Sequence, residues 1–197
     1  MKLYHYALFG ALTVTLVGCG NDDDMVAVPA KAMFEVTVTN ETAGQPFSPL
    51  TIVAHKSAQK FWTLGEPVSL GLEYIAESGN AAVWRDSLKT DNTVFSTKEG
   101  KGLLMAGKTE TFTFELTEAQ LADDARLSLA SMIGKTNDGL LLMSGQKINA
   151  LKQGDSMSVR ILSYDAGTEL NRETTATLGA LGGEGYNPMR DDVTSVL

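Results

Sequence analysis

Positive charge is scarce in this sequence: 16 lysines and arginines face 24 aspartates and glutamates, for a formal net charge of −8. Such a surface repels phosphate backbones, so nucleic-acid binding is excluded. There is no glycine-rich phosphate loop and no dinucleotide fingerprint. Met143-Ser144-Gly145 does not make a Gly-x-Ser-x-Gly nucleophile elbow. The apolar run from Tyr6 to Val17 is shorter than the roughly 20 residues that span a bilayer. Cysteine occurs once, at Cys19, so no intrachain disulfide forms. The fold must rest on burial, backbone hydrogen bonds or a bound metal.

What stands around that lone cysteine is informative. Lys2, the apolar run and the small residues before the break have the order of an export signal. Leu16-Val17-Gly18-Cys19 resembles a bacterial lipobox, in which the leader is cut before the cysteine and the thiol is acylated. Residues 1–18 are therefore expected to be a signal peptide and Cys19 a lipidation site, which places the protein in the bacterial cell envelope. Gly20-Asn21, with no aspartate after the cysteine, resembles outer-membrane sorting. Buried acyl chains anchor at about 0.8 kcal/mol per CH₂. Removing 18 residues leaves 179 and takes away Lys2, so the formal charge falls to −9. Residues 19–32, with Asn21-Asp22-Asp23-Asp24 and Pro29, read as a solvated tether.

The leader takes His5 with it, leaving His55 as the only imidazole. One histidine and one acylated cysteine do not make a zinc site. A Ser-His-Asp triad would have to use His55, which reads instead as a structural histidine at a strand end. The sequence therefore points to a protein that is not an enzyme.

Phe34–Thr39, Thr109–Leu116 and Ser156–Ile161 alternate apolar and polar residues with the period of a half-buried strand. Thr51–Ala54, Leu127–Ile133 and Leu140–Met143 are further short strands between Gly-, Asn- and Asp-bearing turns. Glu66–Ser78, with Pro67 in its first turn and Gly79 after its end, reads as a helix, and Ala81–Leu88 as a second. Thr117-Glu118-Ala119-Gln120 has capping-box spacing. The pattern is all-β: an antiparallel β-sandwich with a short helical insertion. Phe61-Trp62 reads as core. Asn40-Glu41-Thr42 matches a glycosylation acceptor, which a bacterial lipoprotein would rarely use.

The remaining chemistry belongs to oxygen. Asp165-Ala166-Gly167-Thr168-Glu169 sets two carboxylates four residues apart around a glycine, directly after a strand. Thr136-Asn137-Asp138-Gly139 is a second acidic turn. If they meet at one sandwich edge, three carboxylates repel until a cation neutralises them, and oxygen-rich loops suit Ca²⁺. On spacing alone, solvated turns account for both.

Several ordered segments resemble the spondin N-terminal domain family, the F-spondin domain and its bacterial relatives. Ser48-Pro49-Leu50 and Ala54-His55 match its opening, and Leu64-Gly65-Glu66, Ser69, Gly71 and Ala76-Glu77-Ser78-Gly79 continue it. Leu127–Gly134 matches the strand leading to its acidic loop, Tyr164–Glu169 its Asp-Ala-Gly-Thr-Asp/Glu signature, and Gly182-Gly183-Glu184-Gly185 its bacterial ending. The resemblance implies a C2-like sandwich over 33–186, a tail at 187–197, and one Ca²⁺ bound by Asp138, Asp165 and Glu169. The family's animal members place aspartate where Glu169 stands and tryptophan where Gly139 stands, a change expected to loosen the loop. The expectation is an envelope-anchored, calcium-binding adhesion or interaction module with an unidentified envelope or extracellular ligand. The alternatives are a metal-dependent hydrolase using activated water or His55, and a purely structural lipoprotein.

Overall fold

The computed structural model describes residues 2–7, 31–171, 174–178 and 185–189. Cys19, the tether up to residue 30 and the segment Gly182-Gly183-Glu184 lie outside them. In chain order the elements are β1 (Lys2–Ala7), β2 (Lys31–Thr39), β3 (Thr51–His55), α1 (Leu70–Ser78), α2 (Ala82–Leu88) and β4 (Val94–Glu99). They continue with β5 (Thr109–Thr117), α3 (Glu118–Ala122), β6 (Arg126–Met132), β7 (Gly139–Lys147), β8 (Ser156–Ser158) and β9 (Leu162–Asp165). The strands form two antiparallel sheets, one ordered β5-β2-β1-β8 and the other β4-β3-β6-β7-β9.

Alternation in β2 and β5 turns Phe34, Val36, Val38, Phe112, Phe114 and Leu116 toward the opposite sheet. Phe34 lies directly across from Phe114, and both are fully buried. Truncating either to alanine would cost about 3–5 kcal/mol. The central strands of the larger sheet do not alternate, because both of their faces are covered. Ile52, Ala54, Leu127 and Leu129 face the inter-sheet core, while Val53, Ala130, Met132, Leu140 and Leu142 meet the helices. From the helical side come Leu72, Ile75 and Trp84. Phe61 and Trp62 pack partly buried against this second core, as expected.

Helix α1 starts at Leu70, four residues later than the sequence suggests. Ser69 accepts the Leu72 N–H at 3.4 Å and so fixes the start. Upstream, Gly65 at φ +83° and the Glu66 N–H to Thr63 carbonyl bond form a separate turn. Gly79 ends the helix at φ +68°. The capping box at α3 forms in both directions: Gln120 N–H to Thr117 Oγ1 at 3.3 Å, and Thr117 N–H to Gln120 Oε1 at 2.9 Å.

Ser156–Ile161, expected as one strand, is not one. β8 ends at Ser158 and the chain crosses to the other sheet, where β9 begins at Leu162. Met157, Val159 and Ile161 pack partly buried against the inter-sheet core along this path. Their alternation records that packing and not a continuous ladder. β4, an edge strand of half-buried residues, carries no apolar period and escaped the sequence reading. Lys31 and Ala32, placed in the tether by sequence, already belong to β2. Lys2–Ala7, inside the expected leader, forms an inner strand of the smaller sheet.

Candidate metal centre

The two acidic turns meet because β7 and β9 are neighbours. Gly139 pairs with Asp165 and Leu140 with Tyr164, so the turn before β7 and the loop after β9 emerge side by side. The loop then closes over the turn. Ala166 N–H donates to the Asp138 carbonyl at 3.1 Å, and Asn137 Nδ2 donates to the Leu170 carbonyl at 3.1 Å.

Asp138 is 1 % exposed. Its Oδ2 accepts the backbone N–H groups of Thr168 at 2.9 Å and Glu169 at 3.1 Å. Burial raises the Asp138 pKa, the two N–H groups pull it down, and the charge of Asp165 raises it again. Asp165 Oδ1 accepts the Gly167 N–H at 2.8 Å, and its Oδ2 accepts Asn171 Nδ2 at 2.8 Å. Gly167, at φ +67°, gives the bend that brings its own N–H back to that carboxylate.

Asp138 and Asp165 line one cavity of about 290 Å³, together with Asn137, Ser163 and Asn171. Glu169 joins through its backbone N–H; its side chain is buried and is not part of this lining. Among the described residues, no three acidic, histidine or cysteine side chains stand together as a metal-holding group. The sequence-derived trio thus converges as two carboxylates on one cavity, with the third acid joined to Asp138 through its backbone N–H.

Two residues here were not read from the sequence. Thr168 donates to Asp138 Oδ2 through both its N–H, at 2.9 Å, and its hydroxyl, at 3.4 Å, and the Glu77 carboxylate accepts the Asn187 N–H at 2.8 Å. Glu77 is 2 % exposed on α1, and burial, with the charges of Glu73 and Asp138, raises its pKa. Its signal was a pair of glutamates, Glu73 and Glu77, one helical turn apart on the face carrying Leu72 and Ala76.

Gly139 answers the tryptophan difference. A Cβ there would press on Thr136 Oγ1 and stand 2.9 Å from Thr136 Cβ. Thr136 Oγ1 donates to the Ile133 carbonyl at 2.6 Å and accepts the Gly139 N–H at 2.9 Å. This turn therefore leaves no room for a side chain at position 139 while Thr136 keeps its place.

His55 sits at the opposite end of the sheet. It pairs with Arg126, whereas the acidic turn follows Met132, six residues along β6 and about 20 Å away at 3.3 Å per residue. Nδ1–H donates to the Lys56 carbonyl at 2.8 Å, so Nε2 accepts the Ser128 hydroxyl at 2.8 Å. This is a buried structural histidine, with burial and Arg126 lowering its pKa. Asn40, the acceptor-like asparagine, is fully buried, and its Nδ2 donates to the carbonyls of Gln45 and Leu104.

No family model matches this sequence, and no curated protein matches it. No helix among the described residues is long and apolar enough to cross a membrane.

Proposed function

We propose that this protein is an envelope-anchored, non-catalytic module that binds Ca²⁺ and presents a surface to an envelope or extracellular ligand. The carrying observation is a pair of aspartates from adjacent loops, Asp138 and Asp165, on one oxygen-lined cavity. Every nearby donor is oxygen or a carboxamide, a set that suits a hard cation. The two carboxylates would hold the ion, with the Asn137 and Asn171 side-chain oxygens and water completing six to eight ligands. Bound there, it would offset the burial and the Asp165 charge that together raise the Asp138 pKa, and fasten the two loops together.

The resemblance to the spondin N-terminal family supports this reading, with a C2-like arrangement of the sandwich and Glu169 as third acid. Acylation at Cys19, in the outer membrane, belongs to the same proposal. It gives a cation site access to a compartment outside the cytoplasm. The remoteness of His55 from the acidic loops speaks against a hydrolase that uses His55.

Processed protein stripped of metal and melted with and without Ca²⁺ tests the site. At 100 times its dissociation constant the ion adds about 2.7 kcal/mol. For a chain of this size that raises Tm by about 5–10 °C. Asp165→Asn should remove most of the shift. No shift at millimolar Ca²⁺ would sink the calcium reading and leave a structural lipoprotein.

A further inference from the structure

β1 is held from both sides. It pairs with β2 from Lys2↔Thr37 to Ala7↔Ala32, and with β8 from Lys2↔Ser158 to Tyr4↔Ser156. Among the described residues of this sheet, β8 has no other neighbour, and β2 has only β5 besides. Yet β1 lies wholly inside residues 1–18, the segment read as a leader that is cut away. Processing would therefore remove an inner strand and leave a slot between β2 and β8. At about 4.8 Å per strand, the two would stand about 10 Å apart.

The slot does not end blindly. Beyond the Lys2↔Thr37 and Lys2↔Ser158 pairs, the next residues on either side are Val38 and Thr39 of β2, and Val159 and Arg160 after β8. All four line a cavity of about 770 Å³. The slot would therefore lead, along the strand direction, toward residues that line this cavity.

We infer that the processed protein takes an extended segment of a partner protein into this slot, as a strand antiparallel to β2. The inference rests on the reading of residues 1–18 as a cleaved leader. β1 itself shows that an antiparallel strand fits the slot, with backbone pairing on both sides. Such strand addition draws affinity from main-chain hydrogen bonds and specificity from alternate side chains. Positions across from Phe34, Val36 and Val38 share the core-facing side of the sheet and call for apolar residues. Positions across from Glu35 and Thr37 lie on the other side and tolerate polar ones.

The packing of the chain after β8 disfavours closure of the slot by that strand. Val159 and Ile161 pack against the inter-sheet core, and a shift of β8 by one strand width would draw them out. Both β2 and β8 run antiparallel to β1, so they would meet as parallel strands over a three-residue segment. That is a poor replacement for the ladders lost. An unpaired β2 edge of nine residues is a template for another chain.

Amide hydrogen exchange tests this on two samples: protein purified from the envelope, and the unprocessed full chain carrying Cys19→Ala. Intact mass of the envelope sample checks the leader separately. A cut before Cys19 upholds it, and an intact Lys2–Ala7 overturns it together with the open slot. If the cut is present, amides of β2 that faced β1 should exchange at least about tenfold faster than in the full chain, with β6 unchanged. Adding the peptide Lys2–Ala7, acetylated and amidated, should restore their protection. The same peptide with Tyr4→Pro and Tyr6→Pro, lacking two N–H donors, should not. Full β2 protection in the dilute processed protein would mean that β8 has closed the slot, and would overturn the inference. So would failure of the peptide to protect, or protection that grows with protein concentration alone, which marks a second copy as the occupant.

Discussion

Asp138 Oδ2 accepts the backbone N–H of Glu169 at 3.1 Å, so the residue after the signature glycine and threonine is tied to the preceding hairpin by main chain. The Thr168 N–H converges on the same oxygen. The carboxylate thus shapes the loop whether or not a cation is present, and the two roles separate by substitution. Asp138→Ala leaves two N–H groups without their acceptor and should cost about 1–3 kcal/mol in urea unfolding with chelator present. Asp138→Asn keeps a carbonyl oxygen for them and removes a buried charge, so it should retain most of that stability. Equal losses in the two variants would show that these hydrogen bonds are not what Asp138 supplies.

The parts of this architecture visible in the sequence are those fixed by local pattern. Phe34 to Thr39 and Thr109 to Leu116 alternate because one face of each strand is buried. Asp138 and Asp165 stood out because turn residues follow strands there. What stayed hidden depends on tertiary neighbours. β4 lies at an edge and lacks a period, while the alternation of Met157, Val159 and Ile161 follows a crossing between sheets. Glu77 looked like an ordinary helix residue, and its burial and its bond from the Asn187 N–H come from tertiary neighbours. Glu169 matched a signature, yet only its backbone reaches Asp138.

Protonation of His55 should weaken the fold. Its pKa is lowered, chiefly by burial and further by Arg126, while the Lys56 carbonyl and Asp91 pull it upward. Below the ordinary value of 6.5 the unfolded chain takes up a proton that the folded chain resists. The contribution is therefore full above pH 6.5 and is lost as pH falls through the lowered folded value. His55→Gln should lower stability at pH 7.5 by about 1–3 kcal/mol, because Ser128 and Lys56 lose their partner. It should also flatten the fall in urea midpoints as pH drops below 6.5. An unchanged slope would remove His55 from the acid response.

Glu77 acts with the opposite sign. Its pKa is raised, first by burial and then by Glu73 and Asp138, against the pull of Asn187 and Thr168. Stability from this group is complete below the ordinary value of 4.5 and is lost as pH climbs through the raised one. Glu77→Gln keeps an oxygen for the Asn187 N–H and cannot ionise. The variant should gain on the parent as pH rises from about 4 to 7, read from paired urea titrations. A constant difference across that range would rule out ionisation of Glu77 as a cost to the fold.

Gly139→Ala should damage the turn through a single neighbour. The added methyl would meet Thr136 at both Oγ1 and Cβ, and Thr136 is fixed by its bonds to Ile133 and to Gly139 itself. Overpacking of this kind costs about 1–3 kcal/mol. Thr136→Ala removes the obstructing hydroxyl and one methyl, so the double variant should lose less than the two single changes together. The favourable coupling should be about 0.5–3 kcal/mol in a double-mutant cycle. Because Gly139 pairs with Asp165, Gly139→Ala should also shrink the calcium-dependent rise in Tm, and Thr136→Ala should partly restore it. Strict additivity would place the cost of a side chain at Gly139 elsewhere than Thr136.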